Sequence, residues 1–352
     1  MSSPSMVKDR DNFQAGVESV LVCQNLEAAL AFYVGHLGFR LDMIMPADAP
    51  RVAIVSGFGI CLRLQLRSAL DNGVAPDGSA STAINPLGGQ SLDLAIPVIE
   101  TSIIKRAEGK AEWSAGRAGM HYRDLISDRV GGFVIASQIR IEHGGPVDDY
   151  VHYHKVSLQL IYCRRGWVRV VYEDQGPSFV MQPGDCVLQP PTIRHRVLES
   201  SAGLEVIELG IPAEHETWRD HDLSLPTAMI NPHRHFGGQR FVRHIASDAI
   251  WQDAAGNAAS FRDIGISPAT GGSASARVFK LNGSDVATAS IALAASAFRF
   301  LFVLDNLLQL NPTEEQPLDL SMEDACVLTS NKPCTLTART EVEFLEVCVP
   351  AI

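Results

Sequence analysis

Residues 150–160 read YVHYHKVSLQL and place His152, His154 and Gln159 on a stretch of β-type composition. Side chains at i and i+2 of a strand point to the same side, so both imidazoles can face one interior and bind one divalent ion. A strand histidine by itself is more often a hydrogen-bonded core or surface residue. The case for metal comes from the combination with MQPGDCVLQPPTIRHRVLE, where a Pro-Gly-Asp turn, a short strand and a Pro-Pro corner lead to His195. Arg164, Arg165, Arg169, Arg194 and Arg196 cluster around these stretches. Most should sit at solvated strand ends, while Arg165 and Arg169 are candidates for holding a substrate carboxylate by paired hydrogen bonds. Tyr153 alternates with the histidines and should face away, which leaves Tyr162 as the candidate for a polar, catalytic contact. A second HxH, His233 and His235 with His244 nearby, sits among Asn, Pro and Gly and reads as a loop.

The elements that must position these residues are mostly strands. From Gly16 to about Arg67 the pattern is strand (VESVLV), helix (NLEAALAFYVGHL, with Asn25 as N-cap), then three strands (GFRLDMIM, RVAIVSG, GICLRLQL), a βαβββ unit. Residues 75–89, APDGSASTAINPLGG, read as a linker, and EGKAEWSAGRAG forms a second polar stretch. SLDLAIPVIETSIIKRAEG offers at most the opening strand and helix of a second such unit. From about Met120 onward short strands and Gly/Pro turns dominate, which suggests sandwich or barrel architecture. An internal repeat runs through this part: YRDLISDRVGG is echoed by FRDIGISPATGG, DCVLQ by ACVLT, and LEVIELGIP by VEFLEVCVP, at shifts near 140 residues. The chain therefore contains a duplicated β domain.

HxH, four residues, Gln159, six residues, Gly166, and then PGD with His195 ten residues after its aspartate resemble the two motifs of the cupin superfamily. The resemblance spans roughly residues 120–215, with 235–352 a degraded copy. It implies a β-barrel with His152, His154 and His195 as metal ligands and Gln159 where the family commonly has glutamate. Three neutral imidazoles and an amide would leave the ion's +2 charge uncompensated, favouring an anionic substrate or hydroxide as a further ligand. Two adjacent open positions on an octahedral ion suit a bidentate substrate, or a substrate beside dioxygen. NLEAALAFYVGHLGFRL resembles the vicinal oxygen chelate superfamily, the glyoxalase and extradiol dioxygenase relatives, whose metal positions would fall near Glu18 and Gln65. The expected fold is mainly β: a tail (1–15), a glyoxalase-like βαβββ unit with linker (16–110), a metal-binding cupin barrel (111–225) and a second cupin barrel without ligands (226–352).

The repeat provides an internal control. At an offset of 140, His152, His154, Gln159 and His195 fall on Ala292, Ala294, Arg299 and Thr335, so the second copy keeps the apolar pattern and has lost the ligands as a set. The resulting expectation is a metal-dependent enzyme using one divalent ion, Fe2+ first with Zn2+, Mn2+ or Ni2+ as alternatives. Resemblance to bicupin ring-cleaving enzymes points to a dioxygenase on a small anionic, aromatic or enolisable substrate. The alternatives are a redox-neutral isomerase or lyase, and a non-catalytic sensor. A net charge of −11 argues against a nucleic-acid partner, and no apolar run is long enough for a membrane span. Seven scattered cysteines without a CxxC pair indicate reduced thiols and, with the polar start of the chain, a cytoplasmic address. A lone βαβββ unit leaves a sheet face for a partner, so a homodimer is expected.

Overall fold

The computed structural model describes residues 18–67, 96–107, 113–254, 258–284 and 288–350. They belong to two compact units, a small one within residues 1–45 and 50–82 and a large one formed by 46–49 and 83–352. The tail at 1–15, the linker at 75–89 and part of the second polar stretch lie outside the described residues.

In the small unit, β1 (Glu18–Cys23) leads into α1 (Leu26–Leu30) and a wider π-type turn over Ala31–His36. Three strands follow, β2 (Arg40–Met45), β3 (Val52–Gly57) and β4 (Ile60–Leu66). Asn25 caps α1, its side chain accepting the Ala28 N–H at 2.8 Å, which satisfies one of the donors every helix start leaves open. The sheet runs β1-β4-β3-β2, with β1 parallel to β4 and the other pairs antiparallel. A two-residue turn joins β3 to β4 through Phe58 and Gly59, both at positive φ, the conformation whose twist matches that of a hairpin. Glu18 is opposite Cys61 and Gln65 is opposite Val22, four residues farther along the same ladder, or roughly 13 Å at strand rise.

The large unit is two double-layered barrels. In the first, the strands Thr217–Arg219, His152–His154, His195–Ser200, Val168–Tyr172 and Phe179–Met181 form one layer. The facing layer contains Cys186–Leu188, Leu158–Arg165, Leu204–Ile211, Ile135–Ile141 and His121–Asp124. Period-2 alternation sorts each strand between two environments. From Leu158–Arg165, Ile161 and Cys163 turn inward, while Leu158, Leu160 and Tyr162 turn outward into a core shared with the second barrel. Across that core stand Phe298, Phe300 and Phe302, all fully buried. Each contributes roughly 1.5–3 kcal/mol on removal from water, so neither barrel would tolerate separation. Phe279, Leu301, Leu310, Leu336 and Phe344 fill the second barrel's interior.

The barrels also exchange strands. Val242–His244, just ahead of the second barrel, pairs with Cys186–Leu188 of the first. Ile103–Lys105, ahead of the first, pairs with Ala325–Val327 of the second. The stretch read as the start of another βαβββ unit thus contributes a barrel strand, and its described part, residues 96–107, contains no helix. The second HxH is not in a plain loop either. His235–Phe236 forms a small hairpin with Gln239–Arg240, His233 and His235 are exposed, and His244 contacts Arg262 at 2.9 Å.

Candidate metal centre

His152 and His195 are direct cross-strand partners, and His154 lies one pleat along from His152. Their ring centroids are 4.2–5.2 Å apart, and one ring nitrogen from each lies within 4.8 Å of the others. Among the described residues no other group of three His, Cys, Asp or Glu meets that geometry. All three rings are buried. His152 Nδ1 is 2.7 Å from the Tyr150 carbonyl and His195 Nδ1 is 3.0 Å from the Ile193 carbonyl. A carbonyl can only accept, so both Nδ1 atoms carry a proton, which leaves Nε2 as the ligating atom of each ring. His154 Nδ1 is held by the Thr217 hydroxyl at 2.9 Å. Rings held in place through Nδ1 suit a metal-binding histidine, so the residues fit a divalent ion.

The triad opens into a cavity of about 100 Å³ that Gln159, Gln189, Glu208 and His215 also line. Gln159 Nε2 donates to Glu208 Oε1 at 2.5 Å. The site is therefore not the wholly neutral set the sequence suggested: a carboxylate from the neighbouring strand stands beside Gln159. Gln189 Nε2 donates to His195 Nε2 at 3.0 Å, occupying the lone pair an ion would use, so metal loading requires this amide to withdraw. Tyr172 donates to Gln189 Oε1 at 3.2 Å, and burial pushes its phenol far up, so it stays a neutral donor. Burial likewise pushes His215 down against the pull of the Pro212 carbonyl, and its ring packs on His154 at 5.4 Å. The remaining wall is apolar, with Ile139, Val170, Met181 and Val206 among its residues.

Three of the expected site residues lie elsewhere. Tyr162 belongs to the outward set of its strand, buried between the barrels with its hydroxyl against Arg262 at 3.2 Å. Burial drives its phenol far up, which removes it from proton chemistry near neutrality. Arg165 is 67% exposed and 4.0 Å from Glu205, and Arg169 pairs with Glu199 on the exterior at 3.3 Å. Neither lines the cavity. Glu208, Gln189, Tyr172 and His215 were missed. Only Glu208 left a signal: in LEVIELGI it is a charged residue at an inward position, between outward Ile207 and Leu209.

No protein-family model matches the sequence, and no curated protein matches it either. Solved structures do match in fold. Oxalate decarboxylase from Bacillus subtilis at pH 4.6 superposes with a TM-score of 0.51 at 9% identity, over 71% of this chain and 76% of that one. The formate complex of oxalate decarboxylase from Lactobacillus farciminis gives 0.50 at 12% identity, over 71% and 86%. A further Bacillus subtilis oxalate decarboxylase structure, from work on its Mn(II) centres, gives 0.52 at 10% identity, over 71% and 78%. The fold is that of a bicupin.

The second barrel carries different residues at the corresponding positions. His152 pairs with His195 in the first barrel, and Ala292 pairs with Thr335 in the second, so the 140-residue offset holds in the strand register. Where Gln159 and Glu208 meet in the first barrel, Arg299 and Glu346 stand in the second, Nε to Oε1 at 3.2 Å and both side chains almost fully buried. This is an ion pair by distance, although the Nε–H is not aimed at that oxygen. Burial raises the Glu346 carboxyl more than Arg299 and Arg277 lower it. The second barrel thus holds a buried guanidinium where the first holds the Gln159 amide.

Proposed function

We propose that the chain is a metal-dependent enzyme catalysing a redox-neutral lyase or isomerase reaction on a small anionic substrate, with His152, His154, His195 and Gln159 holding the ion. The observation that carries this reading is the single cavity in which three fixed imidazoles meet the Glu208 carboxylate. A dioxygenase reading drew on a neutral ligand set and on two-barrel analogy. Glu208 removes the first support, and the neighbours of the same fold are named decarboxylases, which weakens the second.

A divalent ion in this site supplies Lewis-acid polarisation of a bound carboxylate or carbonyl oxygen. Glu208, oriented by the Gln159 amide, accepts or returns the substrate proton. In the metal-free site Tyr172 and Gln189 form a hydrogen-bonded arm from the wall to His195, and the Gln189 amide withdraws when the ion binds. The apolar wall keeps bulk water from the proton that Glu208 handles. Mn2+ is the favoured ion because a neighbour of the same fold is described with Mn(II) centres. Fe2+, Zn2+ and Ni2+ are the alternatives that metal analysis of untagged protein separates.

In this reading the barrel at 111–225 carries the chemistry and that at 226–352 is its structural twin. The small unit resembles half of a glyoxalase-type module and serves assembly of a homodimer. The deciding experiment turns over small carboxylates with the metal-loaded protein in an oxygen electrode. Substrate loss without stoichiometric oxygen uptake is expected, and one dioxygen consumed per substrate would overturn the lyase or isomerase assignment. A strictly monomeric mass by light scattering would overturn the assembly role.

A further inference from the structure

The walls of the cavity restrict what can occupy it more than the ligand triad does. Two acidic residues line the cavity: Asp48, which is already paired with Arg129, and Glu208, held at 2.5 Å by Gln159. Among the described residues lining the cavity there is no arginine or lysine. The two arginines expected to grip a substrate, Arg165 and Arg169, are engaged with Glu205 and Glu199 outside it. Ile139, Val170, Met181 and Val206 are among the apolar side chains that make up most of the wall.

Charge balance then sets the substrate class. An ion of charge +2 beside one glutamate leaves a net +1, which one further carboxylate neutralises. A second carboxylate would be buried with no lysine or arginine among the described lining residues to pair it, a heavy desolvation cost. Apolar walls reward a hydrocarbon body, at about four-fold in affinity per buried methylene.

We infer that the substrate is a small monocarboxylate with an apolar body, not a dicarboxylate, because with Asp48 already paired to Arg129 one cationic centre faces Glu208 in a cavity whose wall is mainly apolar and lacks a lysine or arginine among its described residues. This inference rests on the metal-site reading above. It also separates the chain from its fold neighbours, which are named for a dicarboxylate, since nothing in the wall offers a second charge-paired subsite.

The test titrates the full chain calorimetrically with acetate, propionate, butyrate and succinate, once loaded with Mn2+ and once metal-free. With the ion present, affinity is expected to rise about four-fold per methylene from acetate to butyrate. Succinate, which matches butyrate in chain length but ends in a second carboxylate, should bind at least about 30-fold more weakly. Succinate binding as tightly as butyrate, or a flat series from acetate to butyrate, overturns the inference while the metal-site reading stands, provided binding needs the ion. Affinities that are the same with and without Mn2+ overturn the metal-site reading and the inference together.

Discussion

Thr217→Val isolates the role of a residue that touches the triad without belonging to it. The Thr217 hydroxyl is 2.9 Å from His154 Nδ1, and both side chains are buried. Valine preserves the shape and removes the hydrogen-bonding group. Partners of this kind fix the ring of a metal-binding histidine and typically control 10–100-fold in metal affinity, or about 1.4–2.7 kcal/mol. The metal-free fold should lose much less. One net hydrogen bond is worth about 1 kcal/mol, and the added methyl recovers about 0.8 kcal/mol of apolar burial. The expected result is a selective loss: Mn2+ affinity, read by competition with a fluorescent chelator, falls at least ten-fold, while urea denaturation of the metal-free protein changes by less than about 1 kcal/mol. Thr335→Val, an exposed position opposite Ala292 in the second barrel, serves as the control and should change neither. An Mn2+ affinity within two-fold of the parent, or a stability loss as large as the affinity loss, would refute the argument that Thr217 acts through His154.

Glu208→Gln keeps the size of the side chain and its contact with Gln159 but removes the proton acceptor. Turnover should fall roughly 10²–10⁴-fold with Mn2+ affinity changed far less, measured by kinetics and chelator competition on the same preparation. Glu346→Ala leaves the buried Arg299 charge without its carboxylate and should cost about 3 kcal/mol in denaturant unfolding, with metal content still one ion per chain. Glu205 is partly desolvated, which raises its carboxyl, but Arg164 and Arg140 outweigh that and hold it below the usual carboxylate range. A depressed folded value means its stabilisation is present above the unfolded pKa of about 4.3 and is lost as pH falls through the folded one. Glu205→Gln should therefore be less stable than the parent at pH 7 and show a flatter acid limb below about pH 5 in pH-dependent thermal unfolding.

What the sequence determined by itself was local or repeated. The period of a strand put His152 and His154 on one side, and the PGD turn with its fixed distance to His195 located the third imidazole. The repeat named the positions of the second barrel where ligands are missing, and the paired strands show the same offset. Asn25 announced the capped helix α1 of the small unit. Tyr162 was misread although the same periodicity, counted from Gln159, places it on the opposite face. Only the tertiary structure decided which strands became neighbours. Barrel closure set Leu204–Ile211 beside Leu158–Arg165, so that Glu208 met Gln159 and a neutral ligand set gained a carboxylate. It also carried Gln189 to His195, turned Arg165 and Arg169 to the exterior, and exchanged the strands at 103–105 and 242–244 between barrels. Alternation along a strand is fixed by its own backbone, but pairing across strands depends on burying every apolar face at once. That requirement belongs to the whole chain and leaves no mark in any one segment.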